Sequence, residues 1–535
     1  MAPRLDDPDG LVNLHNLAQE VKKIATGDKS VPIVFGWGAP LFGAINYFGG
    51  EIDIATLLAN EGYTVIVASI APISSNYERA CELYRQLTFG QFSTIDLTTN
   101  SLDEQYDVDV DYGNYFAPNS GPEQTHTTGR RRAILYSNSP GYSNWKWDRN
   151  NKVHFVCHSQ GGNTVRCLIS MMANGDGTLN PTYFNEAGRD DWAISVTTLG
   201  TPHRGTTIID VIESFINRQM GDAVGLVARL FATASFYPPD KRSFDLQLDH
   251  WGICRNTGET FQKMLERLES PNGPVWRWLN SKKNGFYDNS IEGVHTLSQS
   301  TIKTSTKVFY FSLSFHATEP FPTSWPAWGK DAFRSFPFSL KLFVQSVVGG
   351  IPILGQLTDH IINAFSNVGW PILTTLAKFS DLVKWVTQAL ITRILQESGY
   401  NLVLPSPGQY IPRKDVIPIM MSTVYAMGGQ QLTDAQKVIL GPDLEDWFQN
   451  DGVVNTPSMP GPRGCVQSVG SLTDFDFSVP GRRGIYWHLG VNDRMDHADE
   501  IGVFIERDTA DLMQGMYLDI ADLISRLPKH VDAQR

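Results

Sequence analysis

The sequence predicts an α/β protein, a mostly parallel sheet with helices on both faces. Three observations carry this. Short apolar runs at Pro32–Phe35, Tyr63–Ser69, Val153–Cys157, Trp192–Leu199, Lys307–Ser314 and Gly484–Val491 read as buried strands. Helical stretches and short glycine turns separate several of them, the rhythm of parallel strands joined by covering helices. The chain has 535 residues, 41% hydrophobic and 19% charged, enough apolar surface for a large core and too much for a disordered chain.

In chain order, residues 1–31 are a polar lead-in with a short amphipathic helix around Leu14–Ile24. The first strand ends on Gly36-Trp37-Gly38, and a glycine- and aromatic-rich loop runs to Gly50. Glu51–Glu61 is helical. Ser75 is an N-cap for a helix whose apolar stripe is Ala80, Leu83, Tyr84 and Leu87. From Thr98 to Arg130 the chain is acidic and without period, a long surface loop. Residues 207–236 are strongly apolar, which suits either core or a lid over a greasy cleft.

Residues 319–410 break the rhythm. Loops rich in Pro, Trp and Phe lead into a helix-like stretch with Ile372, Leu376, Phe379, Val383, Val386, Leu390 and Ile394 on one face. Leu342–Leu357 is too short and too interrupted to span a bilayer, which takes about 20 apolar residues. The segment is either a cap packed on the core or a surface that touches lipid. The organisation expected is a lead-in (1–31), a first core part with its lid (32–318), an apolar helical insertion or cap (319–410) and a second core part (411–535).

A net charge of −12 with no basic stripe excludes nucleic acid as a partner. Five cysteines (Cys81, Cys157, Cys167, Cys254, Cys465) lack metal-finger spacing, and those at 157 and 167 read as small buried thiols. Met1–Val31 has no apolar signal core, so the expectation is an intracellular protein, cytoplasmic or associated with a lipid surface.

The chemistry centres on Cys157-His158-Ser159-Gln160-Gly161-Gly162. A strand runs straight into a helix here, and a serine on such a turn is forced into strained backbone geometry with its side chain lifted clear of the sheet. A serine hydroxyl needs a base within hydrogen-bond reach, and that base needs a carboxylate to set its tautomer. The chain offers them in the order serine, acid, histidine that α/β-hydrolases use. His497 follows the last strand. Asp451, in a tight Asn-Asp-Gly turn, is favoured as the acid over Asp443, Glu445 and Asp446. His154 reads as a core residue and His203 as structural. The backbone N–H groups of Gln160 and Trp37 are the candidates for an oxyanion hole.

These residues sit in longer blocks. Ile73-Ser-Ser-Asn-Tyr-Glu-Arg-Ala-Cys-Glu82, Thr-Leu-Gly-Thr-Pro-His-Arg-Gly-Thr-Thr207, Leu248-Asp-His-Trp-Gly252, Asn450-Asp-Gly-Val-Val-Asn-Thr456 and Asp496-His-Ala-Asp-Glu-Ile-Gly502 are collinear between about residues 32 and 502. Together with the elbow, they resemble the thermoalkalophilic bacterial true lipases and their eukaryotic relatives. The resemblance implies an α/β-hydrolase fold with a helical lid in the 207–236 region. It implies hydrolysis of lipid carboxyl esters, triacylglycerol or simpler, through an acyl-enzyme, with Ser159, Asp451 and His497 as the triad. Acyl transfer on the same fold, or a silent lipid-binding protein, are the alternatives. A lipid ester is the expected partner, at a droplet or membrane surface. No cofactor is required for the chemistry. The family's structural zinc is matched at Glu78, His126 and Asp249. Its calcium site is matched only at Asp499, with Phe504 in place of a carboxylate, which counts against calcium.

Overall fold

The computed structural model describes residues 7–36, 48, 52–99, 101–107, 130–137, 142, 145–176, 183–219, 223–242, 245–320, 410–413, 415–416, 418–442, 444, 446–472, 477, 481–502 and 507–529. The strands in chain order are β1 (Ile33–Gly36), β2 (Val65–Val67), β3 (Ser93–Asp96), β4 (Ser101–Asp103), β5 (Tyr106–Asp107), β6 (Arg130–Arg131) and β7 (Ile134–Tyr136). There follow β8 (Val153–His158), β9 (Ala193–Leu199), β10 (Phe309–Phe315), β11 (Thr318–Pro320), β12 (Tyr410–Pro412), β13 (Val466–Ser468) and β14 (Tyr486–Asn492).

One sheet of ten strands runs β13-β14-β10-β9-β8-β1-β2-β7-β3-β4. Every pairing from β13 to β2 is parallel, and β2 meets β7 antiparallel. Two short ribbons, β5 with β6 and β11 with β12, stand apart.

The alternation of side chains along each strand sorts the core into two layers. Ile33, Phe35, Val156, Phe309, Phe311 and Leu489 face one way, where helices α1 (Asp9–Ile24) and α2 (Ile54–Asn60) and the C-terminal helix Arg507–Ile524 cover them. Val34, Ile66, Phe155, Cys157, Val196 and Tyr310 face the other way, under α3 (Asn76–Phe89) and α4 (Gln160–Asn174). Because both faces are covered, the central strands read as continuous apolar runs. Fully burying each large apolar side chain contributes about 1.5–3 kcal/mol.

The predicted elements between residues 1 and 96 lie where expected, with ends shifted by at most five residues. Ser75 caps α3, and Glu78 closes a capping box with it. The stretch 98–130 is not all loop. It contains the edge strand β4, whose residues are all exposed and so carry no apolar signal. Within the stretch 207–236 lie α5 (Ile208–Gln219) and α6 (Ala223–Ser235). Val227, Ala228 and Phe231 of α6 are buried against Trp251, against Met264 and Leu265 of α7 (Phe261–Glu269) and against Trp278 of α8 (Pro274–Asn280). No helix among the described residues is long and apolar enough to cross a membrane. The amphipathic stripe at 372–394 and Leu342–Leu357 lie outside the described residues.

Candidate active site

The sharp turn between β8 and α4 holds Ser159 at φ 54°, ψ −134°, a conformation that costs a side chain of this kind roughly 1–3 kcal/mol. The surroundings enforce it. Ser159 N–H donates to Leu199 O at 3.0 Å, tying the turn to the end of β9. A Cβ at Gly162 would come within 2.5 Å of Thr201 Oγ1, so only glycine lets α4 pack this close to the turn after β9. Gln160 is the first residue of α4, so its N–H has no partner within the helix and points with the helix dipole toward the elbow. Its side chain is anchored away from that position, on Ser74 O at 3.1 Å and Asn76 Oδ1 at 3.3 Å. Trp37 lies outside the described residues.

His497 follows β14, and its ring lies 4.2 Å, centroid to centroid, from the ring of His158, the residue before Ser159. Its Nδ1–H donates to Asp451 Oδ2 at 2.7 Å, and its backbone N–H donates to Asp451 O at 3.0 Å. Asp451 is fully buried, and its other oxygen accepts from the N–H groups of Val453 (2.8 Å) and Val454 (2.7 Å). The apolar pair Val453-Val454 therefore does not enter the sheet as a strand. The carboxylate captures the amides that would have entered a ladder, and the chain turns back on itself through an Asn450–Asn455 bridge.

The Thr-Pro-His-Arg-Gly-Thr-Thr segment braces this turn. Thr206 Oγ1 donates to Val453 O at 2.6 Å, and Thr207 N–H donates to Asn455 Oδ1 at 2.8 Å. Two sequence blocks some 250 residues apart thus hold one carboxylate in place.

Burial by itself would lower the pKa of His497. The adjacent Asp451, and then Glu500, outweigh it and hold the imidazolium well above the usual 6.5. His158 behaves oppositely: burial, then the neighbouring charge of His497, pushes it well below 6.5, so it is neutral.

Of the other candidates, Asp446 is exposed and accepts from Tyr410 OH at 2.9 Å, while Asp443 and Glu445 lie outside the described residues. His154 is a core residue bonded to Ser195 Oγ at 2.8 Å, and His203 bonds Thr198 Oγ1 at 3.1 Å within the turn after β9. Both fit the structural roles read from sequence. Glu500 is the residue that sequence reasoning missed. It stands inside the Asp-His-Ala-Asp-Glu-Ile-Gly block, three residues after the histidine, where the spacing gave a usable signal.

The metal candidates separate. Asp249 accepts from Arg242 on both oxygens, Nη2 to Oδ1 at 2.8 Å and Nη1 to Oδ2 at 3.3 Å. Glu78 Oε2 accepts the Ser75 N–H in the capping box, and its Oε1 faces His250 Nε2 at 3.8 Å. Arg130 lies against His250 Nδ1 at 3.3 Å and Glu82 Oε1 at 3.5 Å. His126 lies outside the described residues. A zinc ligand must offer a lone pair, and those of Asp249 already face a guanidinium, with a second cation close by. The residues present do not fit a zinc centre that uses Asp249.

A family model described as "Lipase-like, C-terminal domain" matches residues 107–319. In sequence the chain is similar to a lipase of Staphylococcus epidermidis, 30% identical over 269 residues, and to Lipase 1 of Staphylococcus aureus, 30% identical over 270. Each match covers 48% of this chain and 33% of the relative, so the chain spans about a third of the length of these curated relatives.

Among solved structures it resembles Staphylococcus hyicus lipase, with a TM-score of 0.55 and 21% identity, covering 94% of this chain and 96% of that one. It also resembles Lipase 1 from Pelosinus fermentans (TM-score 0.51, 23% identity, 93% of this chain and 99% of that one) and EstA from Clostridium botulinum (0.53, 20%, 98% and 99%). At these identities the likeness is one of fold. By family model, sequence and fold together, the chain is similar to bacterial lipases.

Proposed function

We propose that the chain is a serine lipase or carboxylesterase that cleaves lipid carboxyl esters through an acyl-enzyme. The observation that carries this is a strained serine at a strand-to-helix turn beside a buried, carboxylate-held histidine. The relatives named as lipases support the substrate class.

His497 Nε2 takes the Ser159 proton as Oγ attacks the ester carbonyl, and the imidazolium formed is held by Asp451. The Gln160 and Trp37 N–H groups receive the oxyanion, a donor pair of which each member is worth about a hundred- to a thousandfold in rate. His497 then gives the proton to the departing alcohol. Water repeats the sequence on the acyl-enzyme and releases the fatty acid. In the same reading α5 and α6 form a lid, residues 340–398 help the protein dock on a lipid surface, and the core is built from the segments on either side of the 319–410 insertion.

The test is Ser159→Ala assayed on p-nitrophenyl butyrate. A loss on the order of a millionfold in kcat is expected when a nucleophile of this kind is removed. A variant as fast as wild type overturns the reading. A chain-length series taken across the solubility limit of each ester tests the lid: a jump in rate at the limit supports it, and a smooth curve removes it.

A further inference from the structure

Glu500 occupies a place that a structural residue has little reason to hold. It lies on a single helical turn, Asp499–Ile501, three residues past His497, and its side chain is fully buried. Oε1 is 3.7 Å from His497 Nδ1, the nitrogen that Asp451 already holds, and Oε2 is 3.1 Å from His158 Nε2. The opposing backbone leaves room for it: Gly200 has φ 51°, and a Cβ there would lie 2.4 Å from Glu500 Oε2. Any other residue at 200 would strike the carboxyl. Burying an ionisable group costs several kcal/mol unless its surroundings repay it, so an apolar side chain here would be the cheaper filling.

Two carboxyls beside one imidazole nitrogen cannot both be ionised without strong repulsion, so they share one proton. Asp451, with two backbone N–H donors besides His497, is the better home for the negative charge. Glu500 keeps the proton. Burial, and then the charge on Asp451, raise its pKa well above 4.5, which agrees with that division.

We propose that Glu500 is a second acid of this site, a positioning residue that shares one negative charge with Asp451 and takes over His497 Nδ1 when Asp451 is removed. No bond to substrate is involved: the proton passes from Glu500 to solvent when Asp451 is lost, and the carboxylate left behind accepts the Nδ1–H. The groups facing Glu500 are Asp451, His497 and His158. The inference rests on the hydrolase reading above and deepens it.

A double-mutant cycle on the full chain tests it, with p-nitrophenyl butyrate as substrate. Glu500→Gln alone is expected to lower kcat/KM about fivefold, and Asp451→Ala about a hundredfold. The double variant is expected to lose about a further hundredfold, well beyond the effect of Glu500→Gln in the wild-type background. The pH profile separates positioning from mere packing. The acid limb of Asp451→Ala stays above pH 6.5 because Glu500 still stabilises the imidazolium, and it falls below 6.5 in the double variant, where burial acts unopposed.

Should Glu500→Gln fold poorly by thermal melting, Glu500→Asp in the Asp451→Ala background serves instead. It retains the carboxyl and is expected to retain the raised limb. A double variant no slower than Asp451→Ala, with the same limb, overturns the proposal. So does Glu500→Asp that loses the limb while remaining folded. Ser159→Ala in the same assay keeps the two readings apart. If it is as fast as wild type the hydrolase reading fails, whereas if it is inactive and the cycle is additive only the role of Glu500 fails.

Discussion

Two buried polar clusters flank the sheet's central strands, and they are neutralised differently. Around Glu78, Glu82, Asp249 and His250, two of the three acids are met by arginines. Arg242 chelates Asp249, and Arg130 bonds Gln247 while lying against Glu82. Around Ser159, the acids Asp451 and Glu500 converge on one imidazole instead. The first arrangement gives Asp249 and Glu82 each a permanent cationic partner, which fixes loops. The second concentrates basicity on one exchangeable proton next to a strained hydroxyl, which is the condition for proton transfer. Burial is common to both, so the distinguishing feature is whether the counter-charge can let go of a proton.

That comparison breaks most sharply at its movable proton. On the proposed mechanism His497 receives the Ser159 proton, so His497→Ala is expected to cost on the order of a millionfold in kcat on a water-soluble ester. In the wild-type protein the carboxyl partners raise His497, and only its neutral form is a base. Activity must therefore rise as pH rises through the folded-state pKa, so the acid limb of kcat/KM is expected on the alkaline side of 6.5. A limb at or below 6.5, measured as kcat/KM against pH, means that burial and not Asp451 governs this histidine.

The arginine cluster breaks as structure rather than as chemistry. Arg242→Ala leaves Asp249 buried without its guanidinium, and removing one partner of such a pair costs about 3–5 kcal/mol. Thermal or urea unfolding should record that loss, while the acid limb of any folded fraction stays in place. A limb that moved would mean the two clusters are coupled.

How much of this was legible in the sequence follows from the range of the interactions involved. The elbow was legible because its strain is local: apolar strand, small turn residues and helix are contiguous from 153 to 174. The pairing of Asp451 with His497 was legible through order and turn chemistry, Asp451 in Asn-Asp-Gly and His497 beyond the last strand. What that turn does with its amides was not, because a side chain capturing Val453 and Val454 looks like a strand start on paper. The edge strand β4 was missed because all its residues are exposed. Arg242 as the partner of Asp249 was also missed. An arginine seven residues away is ordinary in sequence, and only the 3-10 turn Asp249–Trp251 aims the carboxylate at it.

The smallest expected effect is the one that most sharpens the comparison, because it asks whether a metal takes the place of a guanidinium. A structural zinc adds its binding free energy to the folded state, so removing it lowers stability by an amount set by affinity and free concentration, about 2.7 kcal/mol at a hundredfold excess over Kd, and Tm falls with it. Asp249 already has both oxygens on Arg242. Dialysis against 1,10-phenanthroline, followed by thermal melting and elemental analysis, should then leave Tm unchanged and find zinc well below one equivalent. A stoichiometric zinc whose loss lowers Tm, and which Asp249→Asn abolishes, would mean that Arg242 yields its place when the ion is present. The two clusters would then differ in the identity of their cation, not in whether their charges are permanently matched.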